Sequence, residues 1–287
     1  MSTKDFDPKQ YKLSQQKQWN SVAAGWKKWW KTFEKSSQKV SDTLVEFAVI
    51  KDGYRVLDIA TGVGEPAFSA AIKVGKKGTI IATDQSSQML AIAEERAGTL
   101  GLKNISFKEM DAEILNFPKN SFDAIICRWG LMFLPDISSA LENIYKVLKP
   151  QSKFATSVWD KPVKINPISL AMELAQKKFQ LPPPLPGTPT LYGLADGIIE
   201  KAMKRAGFSN IIREDLIVNF KFDSKEKLIE YMHDIPAPII SILDTQTKEK
   251  QTEFWKDFSE ASEQFVLEDG SVQTTSIAIC VAGQKTN

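Results

Sequence analysis

The side chains best suited to chemistry in this chain are two acids, Asp58 and Glu65, which flank a glycine turn. Gly62 and Gly64 in that turn would let a ligand approach the backbone closely. Their spacing also fits the loose dinucleotide fingerprint, which is a weak signal by itself. However, Glu65 precedes Pro66 at the expected helix start, where a carboxylate would repel a diphosphate. The acids better suit a ligand with an amino group and a sulfonium, and S-adenosylmethionine (SAM) carries both.

Three more polar residues follow predicted strands. Asp84 comes directly after the strand Thr79–Thr83 and lies 22 positions past Gly62. A carboxylate with that spacing can accept hydrogen bonds from both ribose hydroxyls of a nucleoside. Asp111 and Arg128 follow later strands. Ligands of doubly wound sheets bind beyond the carboxyl ends of the strands, so we expect these residues to share one site.

Strands and helices alternate along the chain, which predicts an α/β fold with a doubly wound, Rossmann-like sheet of seven mostly parallel strands. The predicted strands cover 54–59, 79–83, 105–109, 122–127, 153–159, about 208–222 and 276–282. We expect an N-terminal helical lid over 1–50 and a SAM-binding core over 51–160. The remainder, 161–287, would complete the sheet and carry substrate-cap insertions at about 161–193 and 224–270.

Four motifs in order make the chain resemble the class I SAM-dependent methyltransferases. They are Val-Leu-Asp-Ile-Ala-Thr-Gly-Val-Gly-Glu-Pro, Thr-Asp-Gln-Ser-Ser-Gln-Met-Leu, Asp-Ala-Glu at 111–113 and Val-Leu-Lys-Pro at 147–150. The resemblance is close over about residues 15–160 and is nearest to the ubiquinone/menaquinone-biosynthesis type. It implies methyl transfer from SAM to an O, C or N atom of a small, apolar or aromatic metabolite.

The resemblance also implies which residues hold SAM. It assigns Asp58 to the methionine amino group, Asp84 to the ribose hydroxyls and Arg128 to the methionine tail. The other implied cofactor contacts are Ala60, Thr61, Gly62, Gly64, Gln85, Met89, Asp111, Ala112, Glu113, Trp129 and Gly130. Arg128 could instead pair with Asp58, but the match between a guanidinium fork and a carboxylate slightly favours an anchor for the methionine carboxylate.

The chain departs from the family pattern in two places. Ala60 stands where the family usually has its first glycine, which is a mild change if the residue has a negative φ. Residues 127–130 read Cys-Arg-Trp-Gly, without the Asn-Pro-Pro-Tyr or Asp-Pro-Pro-Tyr of methyltransferases that act on adenine, cytosine or glutamine nitrogens. Having two cysteines, Cys127 and Cys280, argues against arsenic methylation through a set of thiols.

Composition excludes or disfavours several other classes of function. The 287 residues carry a net charge of +2, which gives no support to a broad nucleic-acid footprint. Two cysteines suit a reducing cytoplasm, and the polar start is unlike a signal peptide. No apolar run reaches the roughly 18 residues of a membrane span. A metal site is not expected because the chain has one histidine and no His/Cys cluster.

An aromatic stripe marks the N-terminal helix. Trp19, Trp26, Trp30 and Phe33 follow spacings of seven, four and three, so they share one helical face. Packing on the protein body explains such a face most simply. A functional alternative is a lid in which Trp26 and Trp30 border SAM. A basic helix with tryptophans could also rest transiently on a membrane surface, without stable insertion.

The single histidine, His233, falls in the presumed cap. A lone histidine is more often structural, but a neutral imidazole there could take a proton from the acceptor near pH 7. Met232, Ile235, Ile239, Ile240 and Leu243 offer an apolar surface, for which core packing is the favoured explanation of most members.

Three functions remain open on these residues. The first is a SAM-dependent methyltransferase with a small-molecule acceptor. The second is a NAD-type oxidoreductase that uses the same glycine turn. Three features argue against it: Glu65-Pro66, Asp58 and Asp111-Ala112. The third is a protein that binds SAM without catalysis. The sequence identifies neither the methyl acceptor nor the oligomeric state.

Overall fold

The computed structural model describes residues 6–162 and 165–286. Residues 1–5 of the predicted lid and residues 163–164 of the predicted insertion at 161–193 lie outside this described part. The helices are α1 Pro8–Phe47, α2 Ala67–Val74, α3 Ser87–Thr99, α4 Ile137–Val147, α5 Pro167–Phe179, α6 Ile198–Arg205, α7 Lys225–Asp234, α8 Ala237–Leu243 and α9 Lys248–Ala261. The strands are β1 Arg55–Ile59, β2 Thr79–Asp84, β3 Ile105–Glu109, β4 Phe122–Arg128, β5 Leu148–Trp159, β6 Ser209–Phe222 and β7 Val272–Gln284.

The strands form one seven-stranded sheet in the order β3-β2-β1-β4-β5-β7-β6. The first five strands are parallel to their neighbours, and β7 runs antiparallel to β5. Strand order reverses direction between β1 and β4, which is the point where doubly wound sheets bind ligands. The predicted mostly parallel sheet is therefore confirmed.

The central strands follow from their sequences. Residues 56–59 of β1 and 124–128 of β4 are all buried, as expected for near-continuous apolar runs covered on both faces. The helix α4 lies between β4 and β5. Asp136 caps its start by accepting a hydrogen bond from the Ser139 amide at 2.9 Å, and Leu148 already pairs with Phe122 in the sheet.

The chain forms two compact units. One comprises residues up to 37, 162–188 and 217–276, and is mainly helical; the other comprises 38–161, 189–216 and 277–287, and contains the strands β1 to β5. We call them the helical unit and the sheet unit. None of the described helices is long and apolar enough to cross a membrane.

The helical unit has its own apolar core. Trp29, Tyr231 and Phe222 pack edge to face or tilted, with ring centroids 5.5 Å and 5.1 Å apart for successive pairs. Four of the five apolar residues predicted in the cap are buried in this core: Met232, Ile235, Ile239 and Leu243. Core packing, the favoured explanation, is confirmed for these four.

Candidate cofactor site

Asp58 is the most unusual side chain of the sheet unit. It is 0% exposed at the end of β1, and neither carboxylate oxygen has a hydrogen-bond partner among the described residues. Burial raises the pKa of Asp58 to about 8, while the nearby Thr61 hydroxyl and the charge of Arg128 act in the opposite direction. A buried acid without a partner costs free energy, so this position suits a cationic ligand group.

Asp84 at the end of β2 shapes the glycine turn. Its two carboxylate oxygens accept hydrogen bonds from the backbone amides of Gly62, at 2.8 Å, and Ser86, at 2.9 Å. Burial raises the pKa of Asp84, and the hydrogen bonds from these amides lower it. The Ser86 hydroxyl then accepts from the Met89 amide and caps α3. Asp84 thus ties the turn after β1 to the start of α3.

The two glycines of the turn have different roles. Both have positive φ, +55° at Gly62 and +117° at Gly64. A Cβ added at Gly62 would meet no atom within 4 Å, whereas one at Gly64 would lie 2.0 Å from the Phe68 ring. Gly62 therefore leaves open space beside the backbone, as a bound ligand requires. Gly64 is needed for packing against α2.

Ala60 does not have the negative φ on which a mild substitution would depend. Its φ is +56°, a left-handed conformation that costs an alanine roughly 1 kcal/mol or more. Trp129, after β4, also has a positive φ of +58°. A Cβ at Gly130 would approach Ala60 Cβ to 2.5 Å and Cys127 Sγ to 2.8 Å. Two strained residues and a required glycine thus surround the carboxyl ends of β1 and β4.

Arg128 is fixed by a contact that sequence reasoning missed. Its Nη1 donates a hydrogen bond of 2.9 Å to Ser41 Oγ on α1, and the guanidinium lies 5.2 Å from the Trp129 ring. Trp129 stacks on Trp159 with centroids 4.2 Å apart. Asp58 accepts no hydrogen bond from Arg128, although the positive charge of Arg128 lowers the pKa of Asp58. No local pattern identifies Ser41, because the contact joins residues 87 positions apart.

The segment after β3 is organised by its own acids. Asp111 Oδ1 accepts from the Glu113 amide at 2.9 Å, and Glu113 Oε1 accepts from the Asp136 amide at 2.8 Å. The Glu113 carboxylate thus joins this segment to the start of α4. Ala112 and Gln85 are both half-buried, as residues that border a ligand would be.

Glu65 contacts α2. Its Oε2 accepts from the Ser69 hydroxyl at 2.8 Å and from the Ser69 amide at 3.3 Å. Gln38 of α1 donates to the same hydroxyl at 3.0 Å. The Glu65 charge also helps to raise the pKa of Asp58, so the turn carries two neighbouring acids, as the sequence indicated.

The remaining candidates belong to the helical unit. Trp26 packs between Trp19 and Phe33, with centroid distances of 6.4 Å and 4.8 Å. Trp30 is half-buried beside Lys31. His233 is exposed and stacks on Trp255 at 3.7 Å; partial burial lowers its pKa. Cofactor contact by the two tryptophans and base catalysis by His233 stay predictions.

This sheet order, with acids at the ends of β1 and β2 beside a glycine turn, defines the Rossmann-like fold of class I methyltransferases. Residues 50–185 match the family model described as a methyltransferase domain. The matched segment is a SAM-dependent methyltransferase domain of this class, which confirms the family resemblance and its cofactor. No group of three or more potential metal ligands occurs among the described residues.

One curated relative is the ubiquinone/menaquinone biosynthesis C-methyltransferase of Pseudoalteromonas translucida, 38% identical over 114 residues. The match covers 39% of this chain and 45% of that protein. The chain spans about half the length of the curated relatives it matches.

Two solved structures have similar folds. The YcgJ protein of Bacillus subtilis has a TM-score of 0.56 at 20% identity, covering 87% of this chain and 99% of that one. Phosphoethanolamine N-methyltransferase 2 of Haemonchus contortus, solved with S-adenosylhomocysteine, has a TM-score of 0.54 at 22% identity, covering 87% and 53%. Both similarities concern the fold.

Proposed function

We propose that this protein transfers a methyl group from SAM to a small-molecule acceptor. The observation that carries the proposal is Asp58, a fully buried carboxyl without a partner beside an open glycine turn. A NAD-type oxidoreductase would gain nothing from an unpaired acid there, and residues 50–185 match a methyltransferase domain.

The residues fit SAM by their donor and acceptor chemistry. The Asp58 carboxylate would accept hydrogen bonds from the ammonium group, and Arg128, held by Ser41, would bind the methionine carboxylate. The Asp84 carboxylate accepts hydrogen bonds from the backbone amides of Gly62, Gln85 and Ser86 and keeps lone-pair capacity for a ribose hydroxyl. Open space at Gly62 would admit the nucleoside. Asp111 and Ala112, which the family resemblance implies as cofactor contacts, would contact the adenine.

When bound, SAM supplies a methyl group that its sulfonium already activates. The protein then mainly has to orient the acceptor atom in line with the methyl–sulfur bond and exclude water, and orientation can supply roughly 7–11 kcal/mol. A base such as His233 would be needed only for an acceptor that arrives protonated.

We favour an aromatic acceptor for a reason within the sheet unit. Trp129 and Trp159 stack beside Arg128 at the carboxyl ends of β4 and β5. Trp129 is buried beneath this stack, and the half-buried ring of Trp159 would offer its accessible part to an aromatic acceptor. The curated relatives are named as C-methyltransferases of ubiquinone/menaquinone biosynthesis, which supports trying phenols and quinols first. The buried cap residues give no such support, because their own core encloses them.

We also propose a cytoplasmic location. Cys127 and Cys280 are both free and buried, as is usual in a reducing compartment. Expressing the chain with a fluorescent tag and fractionating the cells would test this. Recovery in the membrane or secreted fraction would refute it.

Calorimetric titration of SAM and S-adenosylhomocysteine into wild type, Asp58→Asn and Glu142→Gln tests the cofactor site. Asp58→Asn breaks no internal hydrogen bond, and Glu142 is an exposed acid on α4 that serves as the control. We expect Asp58→Asn to weaken SAM binding by about tenfold or more, and Glu142→Gln to leave it unchanged. Equal affinities in all three proteins would contradict the assignment.

Methyl transfer is then measured with methyl-labelled SAM and a panel of quinols, phenols and amines. Label in an acceptor, lost with Asp58→Asn at limiting SAM, supports the enzyme. Tight SAM binding without transfer to any acceptor would favour a non-catalytic SAM-binding protein instead.

A further inference from the structure

The helical unit contains a half-open cavity of about 440 Å³ that the methyltransferase chemistry does not use. One wall is a single face of α1, where Trp29, Thr32 and Lys35 lie three positions apart. The facing wall is formed by Lys221 and Phe222 at the end of β6 and by Asp223 directly after it. A cavity of this size can hold a small organic molecule.

The floor of the cavity is aromatic and held in place. The Trp29 indole nitrogen donates to Asp234 Oδ2 at 2.7 Å, which fixes the orientation of the ring. Tyr231 packs edge to face on Trp29 and tilted on Phe222, so both rings of the floor lean on one buried side chain. Trp29 and Phe222 are 8% and 6% exposed, so a flat ligand would contact the accessible edges of these two rings.

The rim is basic. Lys35, Lys221 and Lys227 line the cavity together with one acid, Asp223. Lys227 is paired with Glu230 at 2.7 Å. Lys35 and Lys221 form no ion pair with any residue of 6–162 or 165–286. Two ammonium groups without an ion pair beside an aromatic floor match a ligand with one anionic group and an apolar ring.

We propose that this cavity binds a small aromatic anion, with its phosphate or carboxylate between Lys35 and Lys221 and its ring on Trp29 and Phe222. This site lies wholly within the helical unit and involves none of the residues assigned to SAM. Binding in this cavity can therefore be tested independently of methyl transfer.

Calorimetric titration of phenyl phosphate tests the proposal, with phenol and inorganic phosphate as half-ligands. We expect phenyl phosphate to bind in the millimolar range or tighter, more strongly than either half. Lys35→Gln and Lys221→Gln should each weaken it about tenfold, and raised salt should weaken it in wild type. Lys146→Gln, an exposed lysine on α4, removes the same charge and should change nothing.

Two outcomes would overturn the proposal. One is the absence of phenyl phosphate binding, or binding that all three lysine variants retain equally. The other is sedimentation with vesicles of anionic phospholipid that Lys35→Gln and Lys221→Gln abolish while phenyl phosphate gives no heat. That result would assign the lysines to a lipid surface. SAM titration of each variant shows that the sheet unit is intact, whichever result is found.

Discussion

The buried carboxyl of Asp58 should make the free energy of unfolding depend on pH. Burial raises the pKa of Asp58 from 3.8 to about 8 in the folded protein, whereas the unfolded chain keeps the ordinary value. Below pH 3.8 the carboxyl is protonated in both states and costs nothing. Between pH 3.8 and 8 only the unfolded state ionises, so the free energy of unfolding falls as pH rises. Above pH 8 this loss is complete.

The size of this pH effect follows from the linkage between proton binding and folding. A carboxyl that ionises only in the unfolded state changes the free energy of unfolding by about 1.4 kcal/mol per pH unit. From pH 5 to pH 7.5 Asp58 should therefore remove about 3 kcal/mol, as an upper value. Asp58→Asn carries no charge and should remove this slope. The buried amide adds a roughly constant cost of about 1–3 kcal/mol, so the slope is the informative quantity.

Urea unfolding of the cofactor-free protein at several pH values between 5 and 7.5 measures the slope. The difference between wild type and Asp58→Asn cancels the titration of Glu65 and Asp84, which face Asp58, and Arg128 stays charged throughout. Glu142→Gln serves as an exposed control. Parallel curves for wild type and Asp58→Asn would refute the reasoning, because the carboxyl would then ionise normally in the folded state.

Four further substitutions test the turn and its surroundings. Gly64→Ala should lower the free energy of unfolding by about 3 kcal/mol or more, because its methyl would overlap a ring; urea unfolding measures this. Gly62→Ala should cost only about 1 kcal/mol but weaken SAM binding in calorimetry. Ala60→Gly should raise the melting temperature by relieving about 1 kcal/mol of strain. Ser41→Ala should weaken SAM binding several-fold by releasing Arg128, with about 1 kcal/mol lost in stability.

The sequence was sufficient to predict the sheet and the position of its acids. Strands β1 and β4 are short apolar runs bounded by turn residues, so their bounds were predicted to within one residue. Because parallel strands end at one edge, the residue pattern alone places Asp58 and Asp84 near the same turn. The hydrogen bond from Gly62 to Asp84 agrees with that placement.

Contacts between residues that are distant in the sequence could not be predicted in the same way. Helical periodicity selected Trp26 and Trp30, yet Trp29 is the more deeply buried tryptophan, because its indole finds Asp234. Ser41 lies in a long helix of mixed composition, and nothing local indicates that it faces Arg128. Such pairings depend on how distant elements pack, which residue periodicity does not encode.

The conformation of Ala60 could not be predicted from the sequence for a related reason. An alanine in place of a glycine suggests that φ is negative, since left-handed alanine is strained. Here the neighbouring elements fix the turn: Thr61 donates its amide to the Thr83 carbonyl at 2.9 Å, and Gly62 donates to Asp84. Gly130 leaves the room that the Ala60 methyl group needs. Hydrogen bonds to β2 and the space left by Gly130 after β4 thus stabilise the strained conformation of Ala60. A residue-by-residue comparison with the family pattern could not reveal it, because these contacts come from other strands.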